Sequence, residues 1–350
     1  MFLSPWIKVN RPATLDILLL MRFRGLRLLL AVLLAVTAAS AASAQSGLPE
    51  PVYLYPAASY PQGAPGALGS GEADKPRLYP FLPKKRSTSA AVLVIPGGGY
   101  EHVAIGHEGF QIAAWLNTQG MPAFVLDYRV KPYRYPVEID DGRRAMRIIR
   151  AHAAEYGIDP NRLGVWGFSA GGHLASSLGT HCASAPAPAA NADAADTQSC
   201  KPNFMVLAYP VISMAAPEAH HGSAVNLLGP DPDPALVREY SNQNAVTADT
   251  PPTFLFATTR DPTVPVENSL DFYRALERAH VSSELHIYDY SNHGCGLCGS
   301  IIPLSTWPGL LRNWLILHSL LPPDAPPMPP PQPNLPSWLP GLEGPGKPKS

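Results

Sequence analysis

Short apolar runs rich in β-branched and aromatic residues alternate along this chain with amphipathic stretches. The runs are AVLVI (91–95), PAFVLD (122–127), LGVWG (163–167), FMVLAY (204–209), TFLFAT (253–258) and ELHIYD (284–289). Between most of them lie segments whose apolar positions recur at helical spacing: 108–119, 138–156, 170–181, 267–280 and 305–320. A strand that is apolar almost throughout must be covered on both faces, and helical crossovers between such strands make the sheet parallel. The pattern therefore predicts an α/β fold, a mostly parallel central sheet with helices on both faces. No internal repeat is present, and segments 182–203 and 212–252 interrupt the alternation. Insertions of that kind usually sit over the functional edge of a sheet.

The flanks differ from this body. Residues 45–88 are rich in Pro, Gly, Ala and Tyr with little periodicity, which predicts an extended arm ahead of a folded domain spanning 89–321. Repeated prolines fix φ and remove donors, so 322–350 reads as a flexible or polyproline tail. At the other end Arg22, Arg24 and Arg27 precede the apolar run Leu28–Ala39, and Ala42-Ser43-Ala44 follows. Residues 1–44 are accordingly read as a signal peptide, with Gln45 the first mature residue and Met21 an alternative start. An uncleaved anchor is the competing reading, against which stands an apolar stretch shorter than a spanning helix needs. The expected location is the periplasm or the outside of the cell, with no stable membrane span once the leader is removed.

Composition narrows the partners. With 46% hydrophobic residues the chain can bury a full core, and a net charge of −1 gives no long-range field toward nucleic acid. The four cysteines suit an oxidising compartment and admit three pairings. Cys182 with Cys200 and Cys295 with Cys298 is the expected one, because it closes the shortest loops. CGLC (295–298) also matches a redox CxxC, but it follows a late strand and lacks the strand-to-helix setting of such sites.

The chemistry gathers on one serine. Gly167, Phe168, Ser169, Ala170 and Gly171 form G-x-S-x-G, directly after an apolar run and directly before a helix, the setting of a nucleophile elbow. Acyl transfer also needs donors aimed at the developing oxyanion. VIPGGGY (94–100) offers the N–H groups of Gly97, Gly98 and Gly99, and Ala170 N–H completes the hole. A phosphate loop would end in Lys-Ser/Thr or carry G-x-G-x-x-G, and neither is present. Asp261 and His293 each follow an apolar strand and lie after the serine in hydrolase order, which makes them the acid and base; Asp289 is the reserve acid. Asp127 is expected to fix the Tyr128–Arg129 backbone, and Asp140 and Asp141 to favour a helix dipole. His173, His220 and His221 are less suited as the base. No HExxH or paired ligand spacing supports a metal.

IPGGGY, EG (108–109), FVLDYRV, YP (135–136), DDGRRAMRIIR, GIDPNRLGVWGFSAGGHLA, DPTVP and NHG stand in the order and spacing of secreted bacterial α/β-hydrolases. Over about residues 90–320 the chain resembles the acetyl xylan or feruloyl esterase-like, xylanase-related carbohydrate esterases. The resemblance implies the α/β-hydrolase fold and a serine esterase needing no metal or organic cofactor. It places Ser169, Asp261 and His293 in the triad and Gly98, Gly99 and Ala170 in the oxyanion hole, with a small-molecule or polysaccharide ester as substrate. A peptidase or lipase with the same triad, and a catalytically silent binding protein on the same fold, are the other readings.

Overall fold

The computed structural model describes residues 47–182 and 193–327. The predicted leader, and the tail beyond residue 327, lie outside them. An eight-stranded sheet organises the described residues, in the order β1-β2-β4-β3-β5-β6-β7-β8. Its strands are β1 (Val52–Tyr53), β2 (Arg77–Phe81), β3 (Ala91–Ile95), β4 (Ala123–Asp127), β5 (Leu163–Phe168), β6 (Met205–Ala208), β7 (Thr253–Thr258) and β8 (Ser283–Tyr288). β1 and β2 run antiparallel to their neighbours, and every other pairing is parallel. The helices that matter below are α1 (Gln111–Thr118), α2 (Val137–Ala151), α3 (Ser169–His181), α4 (His221–Leu228), α5 (Pro234–Glu239), α6 (Glu267–Arg278) and α7 (Trp307–Leu317). This is the α/β-hydrolase fold.

The two-residue period of a strand sends alternate side chains into two different cores. Leu163 and Val165 of β5, Leu207 of β6 and Leu255 of β7 join an aliphatic cluster with Met146 and Ile149 of α2, Leu174 and Leu178 of α3, and Phe272 and Leu276 of α6. Their neighbours in sequence face an aromatic layer under α1 and α7. There Trp166 meets Trp115 and Trp307 edge-on at 5.7 and 5.5 Å, and Phe256 stacks on Trp307 at 4.6 Å. Both faces are thus covered, as the unbroken apolar runs require. β8, at the edge, is only partly buried.

Two differences from the sequence pattern stand out. The arm 45–88 contributes β1 and β2 to the sheet rather than leading up to it. Pro80 masks β2 as a strand, yet it is tolerated because β1 pairs only with Arg77 and Leu78, so the missing N–H falls beyond the partner's end. The insertion 212–252 also carries α4 and α5, each too short to announce itself by periodicity. Cysteine pairing follows the local expectation, Cys182 with Cys200 and Cys295 with Cys298. No helix among the described residues is long and apolar enough to cross a membrane.

Register brings one set of strand ends together. Ile95 pairs with Gly167, Phe168 with Ala208, Ala208 with Phe256 and Thr258 with Tyr288. Residues just past β3, β5, β6, β7 and β8 therefore share a single edge, the place where an open parallel sheet collects a site.

Candidate active site

β5 stops at Phe168 in extended conformation and α3 begins at Ser169, whose φ of 49° lies in the left-handed region. A non-glycine residue rarely occupies that region, and its cost is met only where the surroundings over-determine it. Here Ser169 O accepts from Val211 N–H at 2.9 Å. The helix also approaches β3 closely: a Cβ on Gly171 would stand 2.2 Å from Ile95 O and 2.3 Å from Pro96 O. The elbow projects Ser169 Oγ at the sheet edge, at the positive end of α3.

His293, past β8, reaches this hydroxyl. Its Nε2 lies 2.8 Å from Ser169 Oγ and its Nδ1 lies 2.7 Å from Asp261 Oδ2. A carboxylate can only accept, so Nδ1 carries the proton and Nε2 presents its lone pair to the serine hydroxyl. Asp261 is held from the other side, where Oδ1 accepts from Thr263 N–H at 2.8 Å and Val264 N–H at 2.9 Å. Its side chain is 2% exposed, against 82% for Asp289, which accepts from Arg260 Nη1 on the surface. Geometry thus joins Ser169, His293 and Asp261 in one chain of hydrogen bonds and leaves the reserve acid outside it.

The glycine loop after β3 divides its three N–H groups. Gly97 N–H donates to Glu108 Oε2 at 2.8 Å, whereas Gly98 and Gly99 have φ of 122° and 67°. Glycine is the residue that takes such angles without a Cβ penalty. The loop is anchored through its carbonyls: Gly97 O accepts from Ala104 N–H, Gly98 O from Glu101 N–H, and Gly99 O from Asn226 Nδ2 of α4. Gly98, Gly99 and Ala170 remain the candidates for an oxyanion hole, and Gly97 is committed to Glu108.

A family model described as BD-FAE matches residues 79–276, more than half of the chain. The chain belongs to the BD-FAE family. Ser169 and Asp261 fall inside the matched span of this BD-FAE member, and His293 follows it. An acetylxylan esterase of Xylanibacter ruminicola is 36% identical over 233 residues, 65% of this chain and 45% of that protein. Endo-1,4-beta-xylanase B of Butyrivibrio fibrisolvens is 35% identical over 240 residues, 67% of this chain and 36% of that protein. The chain spans less than half the length of these two relatives. Among solved structures, the acetyl ester-xyloside bifunctional hydrolase of Caldicellulosiruptor lactoaceticus is similar with a TM-score of 0.71 at 41% identity. That match covers 78% of this chain and 98% of that one. The esterase Est2 of Thermogutta terrifontis gives 0.59 at 26% identity, covering 71% and 90%.

Several polar residues of the BD-FAE member have roles that the sequence did not disclose. Glu108 is buried at 2% exposure, and its Oε1 accepts from Tyr209 Oη–H at 2.8 Å. Nothing in the periodicity marks either residue, although EG (108–109) is among the family-like motifs. His173, on α3, is fully buried. Its Nε2–H donates to Tyr240 O at 2.8 Å, so Nδ1 accepts from Tyr100 Oη–H at 2.8 Å. Burial pushes its pKa down to about 4, which keeps it a neutral structural bridge. His220 caps α4 and accepts from Ser223 N–H, and His221 opens that helix. Asp127 pairs with Arg77 of β2 rather than fixing the Tyr128–Arg129 backbone. Asp141 does that instead: it accepts from Arg129 N–H at 3.0 Å and from the guanidinium at 2.9 and 2.6 Å.

Proposed function

We propose that the chain is a serine carboxylic ester hydrolase that removes acetyl groups from xylan-type carbohydrate esters. The observation that carries the chemistry is the Ser169–His293–Asp261 chain, with links of 2.8 and 2.7 Å, mounted on a left-handed serine. Ser169 Oγ attacks the ester carbonyl carbon as His293 Nε2 takes its proton. The carbonyl oxygen gains the negative charge and is met by the N–H groups of Gly98, Gly99 and Ala170. The tetrahedral intermediate collapses, the C–O bond to the alcohol breaks, and His293 Nε2–H protonates the departing alkoxide. Water then repeats the cycle on the acyl-serine, releasing acid and restoring Ser169. Asp261 accepts from Nδ1–H throughout and stabilises the transient imidazolium.

The substrate class rests on the acetylxylan esterase and acetyl ester-xyloside hydrolase relatives, which are 36% and 41% identical. Feruloyl esters, bulkier on the acyl side, are the second class to be tried. Two disulfides and the leader-like N-terminus support action outside the cytoplasm. Purified protein incubated with acetylated xylan, feruloylated arabinoxylan and tributyrin, with product acids quantified, tests the assignment. Acetate is expected as the main product, and none from Ser169→Ala. Ferulate or butyrate in its place would move the substrate class.

A further inference from the structure

Beneath the triad lies a second polar chain that the reaction itself does not use. Glu108 sits in the turn Gly106–Phe110 ahead of α1, and its two carboxylate oxygens reach different walls of the site. Oε2 accepts from Gly97 N–H at 2.8 Å and Oε1 accepts from Tyr209 Oη–H at 2.8 Å. Tyr209 Oη in turn accepts from Gly296 N–H at 2.8 Å, inside the loop closed by Cys295–Cys298 and three residues past His293. The Tyr209 ring meets the His293 ring edge-on at 5.0 Å and lies 5.9 Å from Phe168, which precedes the nucleophile. Tyr209 is itself held at a φ of 37°. A Cβ on Gly97 would lie 2.8 Å from both Glu108 Oε2 and Ser169 Cβ, so that backbone is wedged between carboxylate and nucleophile.

We infer that Glu108 is a positioning residue which, through Gly97 on one side and Tyr209 on the other, holds the oxyanion loop and the His293 loop in one register. The inference rests on the esterase reading above. Three segments, at 97, 209 and 296, are tied by two buried side chains in series, Glu108 and Tyr209. Burial and the neighbouring Glu108 carboxylate push the Tyr209 hydroxyl far above its ordinary range, so it stays protonated and remains the donor. Oxyanion donors and a general base act together only when both are placed to within a fraction of an ångström. Glu108 touches no reacting atom, and its effect is on that placement.

Glu108→Gln, Glu108→Ala and Tyr209→Phe test this, assayed with p-nitrophenyl acetate and with a fluorophosphonate whose labelling end point counts folded sites. Glutamine can still accept from Gly97, but its amide meets the Tyr209 hydroxyl as a donor. Alanine loses both links, and phenylalanine strands Glu108 Oε1 and Gly296 N–H. Per labelled site, kcat is expected to fall ~10- to 100-fold in Glu108→Ala. Smaller falls are expected in the other two, with KM within about threefold and labelling rate falling in parallel with kcat. Combining Glu108→Ala with Tyr209→Phe should cost less than the product of the single effects, because both cut one chain. Full kcat per labelled site in all three variants, whatever their melting temperatures, would overturn the inference. An inert, unlabelled wild type would instead overturn the esterase reading and this role with it.

Discussion

At the scale of single residues, the site depends on two kinds of constraint that leave different marks in sequence. Ser169 is announced by its flanking glycines because the elbow cannot form without close backbone approach, as the 2.2 Å distance from a Gly171 Cβ to Ile95 O illustrates. Asp261 and His293 are announced only by position after apolar strands, which leaves Asp289 as a rival acid in the sequence. The Asp261 side chain is buried and bonded to His293 Nδ1, while Asp289 is bonded to Arg260 in solvent. Asp261→Asn is therefore expected to lower kcat by ~10⁴-fold through loss of the productive imidazole tautomer. Asp289→Asn should leave it within about twofold, and a ranking in the opposite order would move the acid. Apart from the EG motif at 108–109, Glu108 and Tyr209 have no comparable signature, since a buried side-chain bond between residues 101 positions apart follows no local period.

At the scale of elements, legibility follows burial for the central strands, whereas β8, only partly buried, is still marked by the run at 284–289. β3, β5, β6 and β7 are buried along their whole length, and each was an unbroken apolar run in the sequence. β2 was not, because a strand near the edge tolerates Pro80 and carries charge, and α4 and α5 are too short to establish a helical period. The acidic residues at the start of α2 illustrate a further limit. Sequence assigns Asp140 and Asp141 the same helix-dipole role, and Asp140 does pair locally, with Arg143. Asp141, one residue on, points inward and clamps Arg129 just beyond β4 through a buried pair. Removing one partner of such a pair exposes the other to the full cost of an unpaired buried charge, so α2 and β4 are coupled more tightly than their apolar contacts alone provide.

At the scale of the whole molecule, two buried titratable groups give the fold opposite pH sensitivities. His173 is pushed down to about 4 by burial, so unfolded chain binds its proton more readily and stability is lost as pH falls from 6.5 toward 4. Glu138 is pushed up to about 8 by burial, so folded chain keeps the proton and stability is lost as pH rises from 4.5 through 8. Glu138→Gln mimics the protonated form. Its melting temperature should match the wild type near pH 4.5 and exceed it by several degrees at pH 8. Parallel melting curves across that range would show that Glu138 does not carry the alkaline loss. The eight-stranded topology, the BD-FAE match and the strand-end convergence all bear on one claim, that Ser169 is an activated nucleophile. Labelling the purified protein with a fluorophosphonate and locating the adduct by peptide mass spectrometry tests that claim most directly. A single adduct on Ser169 is expected, lost in Ser169→Ala and slowed by orders of magnitude in His293→Ala; no adduct, or one on another residue, would contradict the assignment of Ser169 as nucleophile.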